Sequence, residues 1–503
     1  MSPPRGGFVF CRNCGSNLAD AAFCTKVSLP DQQLRSTDFR NRFKIASYTE
    51  RWAAAARARV NRDSAHAFAV IWMIIGLLNI NGWCQKISIE DRDAAQVMLR
   101  EISADVKKHY YDPRFHGVDW EAKVEEMKER IKTTDSLVVA LSAVAEALNA
   151  LDDSHTFFVP PNYSYRYDYG WQARMVGDRC FVIRVRPGSD AESKGVKPGD
   201  ELLTLDGLKV NRESFLKMLF ARRLQPKTAQ RLELRDPTGK QRQVEVTTIK
   251  AARAPFTNTT SSGAGNFRWE MTIQAQNAKY FWRERFAELN DDVSILKLPG
   301  FFFGESEVKG MIDKARKHAA LVVDLRGNHG GRSETLKYLV AGIFENEVKI
   351  GDRNGRSEHK PLIVKPSSHP FAGKLVVLVD SDSASAAELF ARVVQIEKRG
   401  TVIGDRTSGS VMEANYYPHR CGVGTAVFYG AAITEADIVM TDGKSLEHIG
   451  VLPDEIMLPS AEDLASGRDP VLARAAEIAG AKLSDDAAGK LFPYEWPSIG
   501  SAQ

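Results

Sequence analysis

Cysteine is scarce in this chain. Six cysteines in 503 residues are too few for a disulfide framework. No glycine-rich turn has GxGxxG spacing and none carries the lysine of a phosphate loop, which excludes the nucleotide-binding classes. No charge of one sign dominates either, and the net charge of +4 says little by itself. The asymmetry sits at the front, where residues 1–62 hold 11 Lys/Arg against 4 Asp/Glu. A nucleic-acid partner is a weak explanation of that excess, because the apolar run that follows it explains it better. What is present is globular: 43% hydrophobic and 26% charged residues can build a large core. The length implies three or more units.

The front reads as three pieces. Within residues 1–30, Cys11-Arg-Asn-Cys14-Gly15 is half of a zinc knuckle, and Cys24 follows. The stretch resembles a short zinc ribbon whose fourth ligand would fall at Val27, which cannot bind metal. Cys11, Cys14 and Cys24 are therefore expected to hold zinc weakly at best, as a degenerate remnant. Residues 31–65 form a basic linker. Residues 66–85 contain the run AFAVIWMIIGLL, expected to be a membrane anchor or a signal sequence. The arginines before it place residues 86–503 on the far side of the membrane. The expectation is a single-pass cell-membrane protein with its catalytic part outside the cytoplasm, or export after signal cleavage. A buried soluble helix is the bland alternative.

Residues 87–160 are helical in pattern. Val97, Leu99, Ile102 and Val106 mark one apolar face, and Leu137, Val138, Leu141, Val144 and Leu148 another. The region ends in Leu151-Asp152-Asp153-Ser154-His155-Thr156, where a lone loop histidine is ordinarily a polar surface residue. Residues 165–250 follow with strand, Pro198-Gly199-Asp200 turn, strand, Asp206-Gly207 turn. This looks like a PDZ domain, a mostly β module that binds extended peptides at a sheet edge. Residues 280–480 alternate strands and helices and form an α/β core.

One stretch organises that core. Gly373 to Asp380 reads as a buried strand, and a helix starts at Ala386. Ser383 or Ser385 sits at the junction, where unpaired backbone N–H groups face outward. Serine there is a ready helix cap; it is equally well placed to attack a carbonyl.

Together these segments resemble the S41 peptidases, the tail-specific (carboxyl-terminal processing) proteases and their tricorn-like relatives. The matches are LDDSHT at 151–156, the PDZ-like stretch, DLRGNHGG at 324–331, SDSASAAE at 381–388, VIGDRTSGS at 402–410 and LEHIGVLPD at 446–454. The resemblance implies a ClpP/crotonase-like αβ spiral and no catalytic cofactor. It puts the nucleophile on Ser385, with Ser383 as runner-up. The tail-specific branch uses a lysine base at what is here Ser410. The tricorn-like branch uses a Ser-His pair and a late glutamate, which fall on Ser154, His155 and Glu447. Backbone N–H groups of Gly330 or Gly331 and of Ala386 would hold the oxyanion. The implied activity is a serine endopeptidase acting on protein or peptide substrates. The competing expectation is an inactive relative that only binds peptides or ligands. Oligomeric state is not legible.

Overall fold

The computed structural model describes residues 87–161, 165–224, 226–252, 284–422 and 427–496. The zinc-ribbon-like cysteines Cys11, Cys14 and Cys24, the basic linker and the apolar run at 66–85 lie outside them. Among the described residues no group of three or more His, Cys, Asp or Glu could hold a metal. The single-pass membrane placement must be corrected: among the described residues no helix is long and apolar enough to cross a membrane.

Helices α1 (Ile89–His109), α2 (Trp120–Thr133) and α3 (Leu137–Asn149) open the described chain, each capped by a side chain (Ser88, Asp119, Ser136) that accepts a first-turn N–H. α1 buries Met98, Leu99, Ile102 and Val106. Val97, expected on that face, is only half-buried, because the helical repeat turns Met98 inward instead. α3 buries Ala140, Leu141, Val144 and Leu148. Leu137 stays 36% exposed and Val138 half-buried, since both lie in the first turn, before the packed stripe.

After β1 (Phe157–Val159) come β2 (Tyr165–Asp168), β3 (Trp171–Val176), β4 (Arg179–Val185), β5 (Glu201–Leu205), β6 (Leu208–Lys209), α4 (Arg212–Leu224), β7 (Ala229–Arg235), β8 (Gln241–Thr247) and β9 (Ile249–Ala252). β2 and β9 pair antiparallel, so the segment between them departs and returns through one ladder. Its own sheet has the order β3-β4-β5-β7-β8, with β6 on β5 and β3 at an edge. Its own small core includes Val182, Leu202, Leu232 and Val246.

The remainder runs β10 (Arg285–Glu288), β11 (Val293–Lys297), α5 (Glu305–Ala315), β12 (Ala320–Asp324), α6 (Ser333–Ile343), β13 (Val348–Gly355), β14 (His359–Val364), β15 (Lys374–Val379), α7 (Ala386–Ile396), β16 (Thr401–Gly404), β17 (Met412–Cys421), β18 (Val427–Met440), β19 (Glu455–Ile456) and α8 (Pro470–Ala479). The main sheet has the order β10-β11-β12-β15-β16-β19 and is parallel from β11 onward. Period-2 alternation sorts β15 cleanly. Leu375, Val377 and Val379 join the cluster that includes α5, α6 and α7. Val376 and Leu378 join the one with α8. Helices cover both faces, which is why the strand reads as one continuous apolar run.

A second sheet, β1-β18-β13-β14 with β17 on β18, packs Tyr429, Ala431 and Ile433 against the α1–α3 helices. The pairing Phe158↔Ala431 fixes β1, and with it the Ser154–Thr156 loop just before it. The architecture is the α/β class expected.

Candidate active site

The Ser385 junction is built by backbone geometry. Ser385 lies between β15 and α7 at φ 55°, ψ −119°, a conformation costly for a residue with a Cβ. Such strain at a strand-to-helix turn pushes a hydroxyl out in front of the helix. Ser385 Oγ makes no hydrogen bond among the described residues. Ser383 is a different kind of residue. It is fully buried, and its hydroxyl donates to Leu325 O at 2.9 Å and accepts from Asp380 N at 3.0 Å. The runner-up serine is thus part of the packing.

Glycine makes room around Ser385. A Cβ on Gly330, at φ +84°, would lie 2.6 Å from Ser385 Cβ. A Cβ on Gly331, at φ +148°, would lie 2.3 Å from Phe301 O. Backbone must pass where a side chain cannot fit. One expectation is corrected here. The Gly330 N–H is already donated to Asn328 Oδ1 at 2.8 Å, so it has no free direction toward an oxyanion. The N–H groups of Gly331 and of Ala386, the first residue of α7, have no acceptor among the described residues. Asn328, which the sequence did not single out, also donates to Leu298 O at 2.9 Å. It pins the Gly330–Gly331 turn to the sheet.

Sequence reasoning did not find Glu388 either. Its carboxylate is fully buried and accepts four donors: Ser385 N (3.0 Å), Ser410 N (2.9 Å), Gly409 N (2.8 Å) and Thr407 Oγ1 (2.5 Å). Burial pushes its carboxyl up to about 7, against the pull of those donors. The signal was present, since Ser-x-x-Glu is capping-box spacing and a charge interrupts an apolar helix start. Ser410, at the position where a lysine base would stand, is instead tied into this loop: its N–H goes to Glu388 and its carbonyl accepts from Ser385 N at 2.8 Å.

The second half of the site is a chain of side chains. Ser154 N donates to Glu447 Oε1 at 2.7 Å, and Ser154 Oγ donates to Glu447 Oε2 at 2.9 Å. Ser154 Oγ also lies 2.7 Å from His155 Nδ1. A hydroxyl has one proton and an ionised carboxylate only accepts. The Ser154 proton therefore points at Glu447, and the Nδ1–H of His155 points at Ser154. That assignment, made from the hydrogen-bond network, leaves His155 Nε2 with a free lone pair. Burial holds the His155 imidazole below its ordinary range, with the Asp153 charge working the other way. Burial also raises the Glu447 carboxyl, against the donors Val411 N and Ser154. The two halves meet through one short segment: Ser385 N bonds Ser410 O, and Val411 N donates to Glu447 Oε2 at 2.7 Å. No hydrogen bond joins Ser385 to His155 in this structure.

Residues 292–457 match the family model described as Peptidase family S41, and residues 91–136 match the Tricorn protease C1 domain. The chain is 25% identical over 375 residues to "C-terminal processing peptidase, chloroplastic" of Tetradesmus obliquus, covering 71% of this chain and 76% of that one. It is 25% identical over 394 residues to a "Carboxyl-terminal-processing protease" of Picosynechococcus sp., covering 72% and 83%. It is 24% identical over 387 residues to "Putative tricorn protease homolog 2" of Streptomyces coelicolor, covering 74% of this chain and 31% of that one. Among solved structures, the crystal structure of mature CPAF superposes with a TM-score of 0.56 at 15% identity, over 75% of this chain and 94% of that one; at that identity the likeness concerns the fold. The α/β core with its serine-bearing junction is that of a hydrolase. Residues 292–457 are similar to peptidase family S41, and the chain is a serine-type protease.

Proposed function

We propose that the chain is an endopeptidase that cleaves extended protein segments through an acyl-enzyme on Ser385. The observation that carries this is the single hydroxyl of Ser154, which joins the Glu447 carboxylate to His155 Nδ1. His155 Nε2 takes the Ser385 proton as the hydroxyl attacks the scissile carbonyl, and returns it to the leaving amine. Water then repeats the cycle on the acyl-enzyme. Ser154 and Glu447 hold the tautomer and stabilise the imidazolium that forms. The N–H groups of Gly331 and Ala386 face the developing oxyanion, where losing one donor typically costs about 10²–10³ in rate. No cofactor enters, and zinc at Cys11, Cys14 and Cys24 has no part in the reaction.

Substrate capture belongs to residues 165–250, read as a PDZ-like unit. Its open edge strand β3 and helix α4 line a cavity of about 1130 Å³ through Trp171, Gln172, Phe215 and Leu219. Arg174 of β3 ion-pairs with Asp380 and, at 2.7 Å, with Asp382, which ties that strand to the loop before Ser385. The absent Ser385–His155 hydrogen bond and the serine at position 410, in place of a lysine base, stand on the side of an inactive peptide-binding relative. A fluorophosphonate probe separates the two. Covalent labelling that disappears in Ser385→Ala is the expected result, and a chain that takes no label would be a binding protein.

A further inference from the structure

The cavity runs from His329 and Asp382, beside the Ser385 junction, to Trp171 and Phe215 of the inserted unit. Part of its wall is the segment after α8: Phe492, Pro493, Tyr494 and Glu495. This segment is held by aromatic rings on arginines. Arg184 lies over the Tyr494 ring at 4.0 Å, and Arg186 over the Trp496 ring at 4.6 Å. The two rings meet edge to face at 5.3 Å and 88°. Gln172, the register partner of Arg184, donates to Tyr494 Oη at 2.8 Å, and Arg285 donates to Pro493 O at 2.8 Å. Two arginines at alternate positions of the chain thus meet two rings at alternate positions of another segment.

Arg184 is the unusual member. It has no carboxylate within ion-pairing distance among the described residues; its side chain donates instead to Gln172 Oε1 at 3.2 Å. Burial and the neighbouring Arg174 charge push its guanidinium down to about 10. A desolvated guanidinium gains most from the face of an aromatic ring.

We propose that Arg184 and Arg186 form a docking step for aromatic residues of an incoming polypeptide, and that Tyr494 and Trp496 occupy it in the free chain as a built-in competitor. Arg184 and Tyr494 line the same cavity as the β3 residues Trp171 and Gln172, so a chain extended along β3 toward Ser385 passes the step. That the incoming polypeptide is a substrate rests on the peptidase function proposed above; the docking step itself does not.

The test uses the full-length Ser385→Ala chain, so that binding is read without turnover. A fluorescein-labelled synthetic peptide of residues 491–498 is titrated by fluorescence anisotropy against this variant and against Ser385→Ala/Tyr494→Ala/Trp496→Ala. Removing the two resident rings should tighten binding roughly tenfold, and adding Arg184→Gln to that background should abolish the gain. Equal affinity in the two chains overturns the proposal. So does a lowered melting temperature with unchanged affinity, which would make the two rings a structural anchor only. Failure of the fluorophosphonate probe to label Ser385 in the wild-type chain, with the affinity gain intact, would remove the peptidase function and leave the docking step standing.

Discussion

The two halves of the site are held by opposite means. Around Ser385 the main chain does the positioning: a positive φ at a serine, two glycines packed where no Cβ fits, and a buried Glu388 gathering N–H groups from a neighbouring loop. Around His155 side chains do it, with Ser154 reaching Glu447 across 293 residues of sequence. A backbone-built site tolerates little change in shape, and here its one charge is the buried Glu388 carboxylate. A relay of side chains tolerates small shifts in shape but depends on which atoms carry protons. The substitutions below separate the two.

Removing the base should cost most. His155→Ala is expected to lower turnover by about 10⁶, as single loss of a catalytic histidine does elsewhere, while the melting temperature changes little. Near-normal turnover would dissolve the relay half altogether. Glu447→Gln keeps the shape but removes the charge, and an amide can offer Ser154 a donor as readily as an acceptor. A loss of about 10³–10⁴ in kcat is expected, with KM nearly unchanged; a change in KM alone would mean that Glu447 acts on substrate binding and not on the base.

Gly330→Ala tests the other half. The added Cβ meets Ser385 Cβ at 2.6 Å with φ at +84°, so a destabilisation of about 1–3 kcal/mol is expected, together with loss of probe labelling. The readouts are thermal melting and labelling rate. A chain that labels normally would show that the junction is more pliable than its geometry says.

How much of this was legible in sequence follows the same division. The Ser385 junction announced itself locally, because a buried strand, a helix start and a short serine-rich link are neighbours in the chain. The Ser154, His155 and Glu447 assignments were reachable only through the family resemblance, since no local pattern connects a loop near residue 155 with one near residue 447. Gly330 belongs to the turn beside Ser385, as expected, but its N–H turns to Asn328 and not to the oxyanion, and only side-chain packing reveals that. Glu388 escaped notice because a carboxylate at capping-box spacing looks like an ordinary helix start until four donors are seen to converge on it. The membrane placement rested on the apolar run at 66–85 and the arginines before it, which lie outside the described residues; among the described residues no helix is long and apolar enough to cross a membrane.

The central claim is that His155, oriented through Ser154 by Glu447, is the base that activates Ser385. The most direct measurement is the rate of fluorophosphonate labelling as a function of pH. The base must be neutral to work, and burial lowers the His155 pKa from 6.5. Labelling should therefore fall as pH drops through an apparent pKa below that value, on top of any change near neutral pH from the buried Glu388 carboxyl, which is pushed up to about 7. The Glu447 carboxyl is raised by burial and shares the Ser154 hydroxyl with His155, so Glu447→Gln is the control that separates the two groups. The folded-state contribution of His155 has the same sign: stability from its neutral form is full above the unfolded pKa and is lost as pH falls through the depressed folded one. A labelling rate that rises only above about pH 8, in the range of a lysine base, and that is unaltered in His155→Ala, would contradict the account.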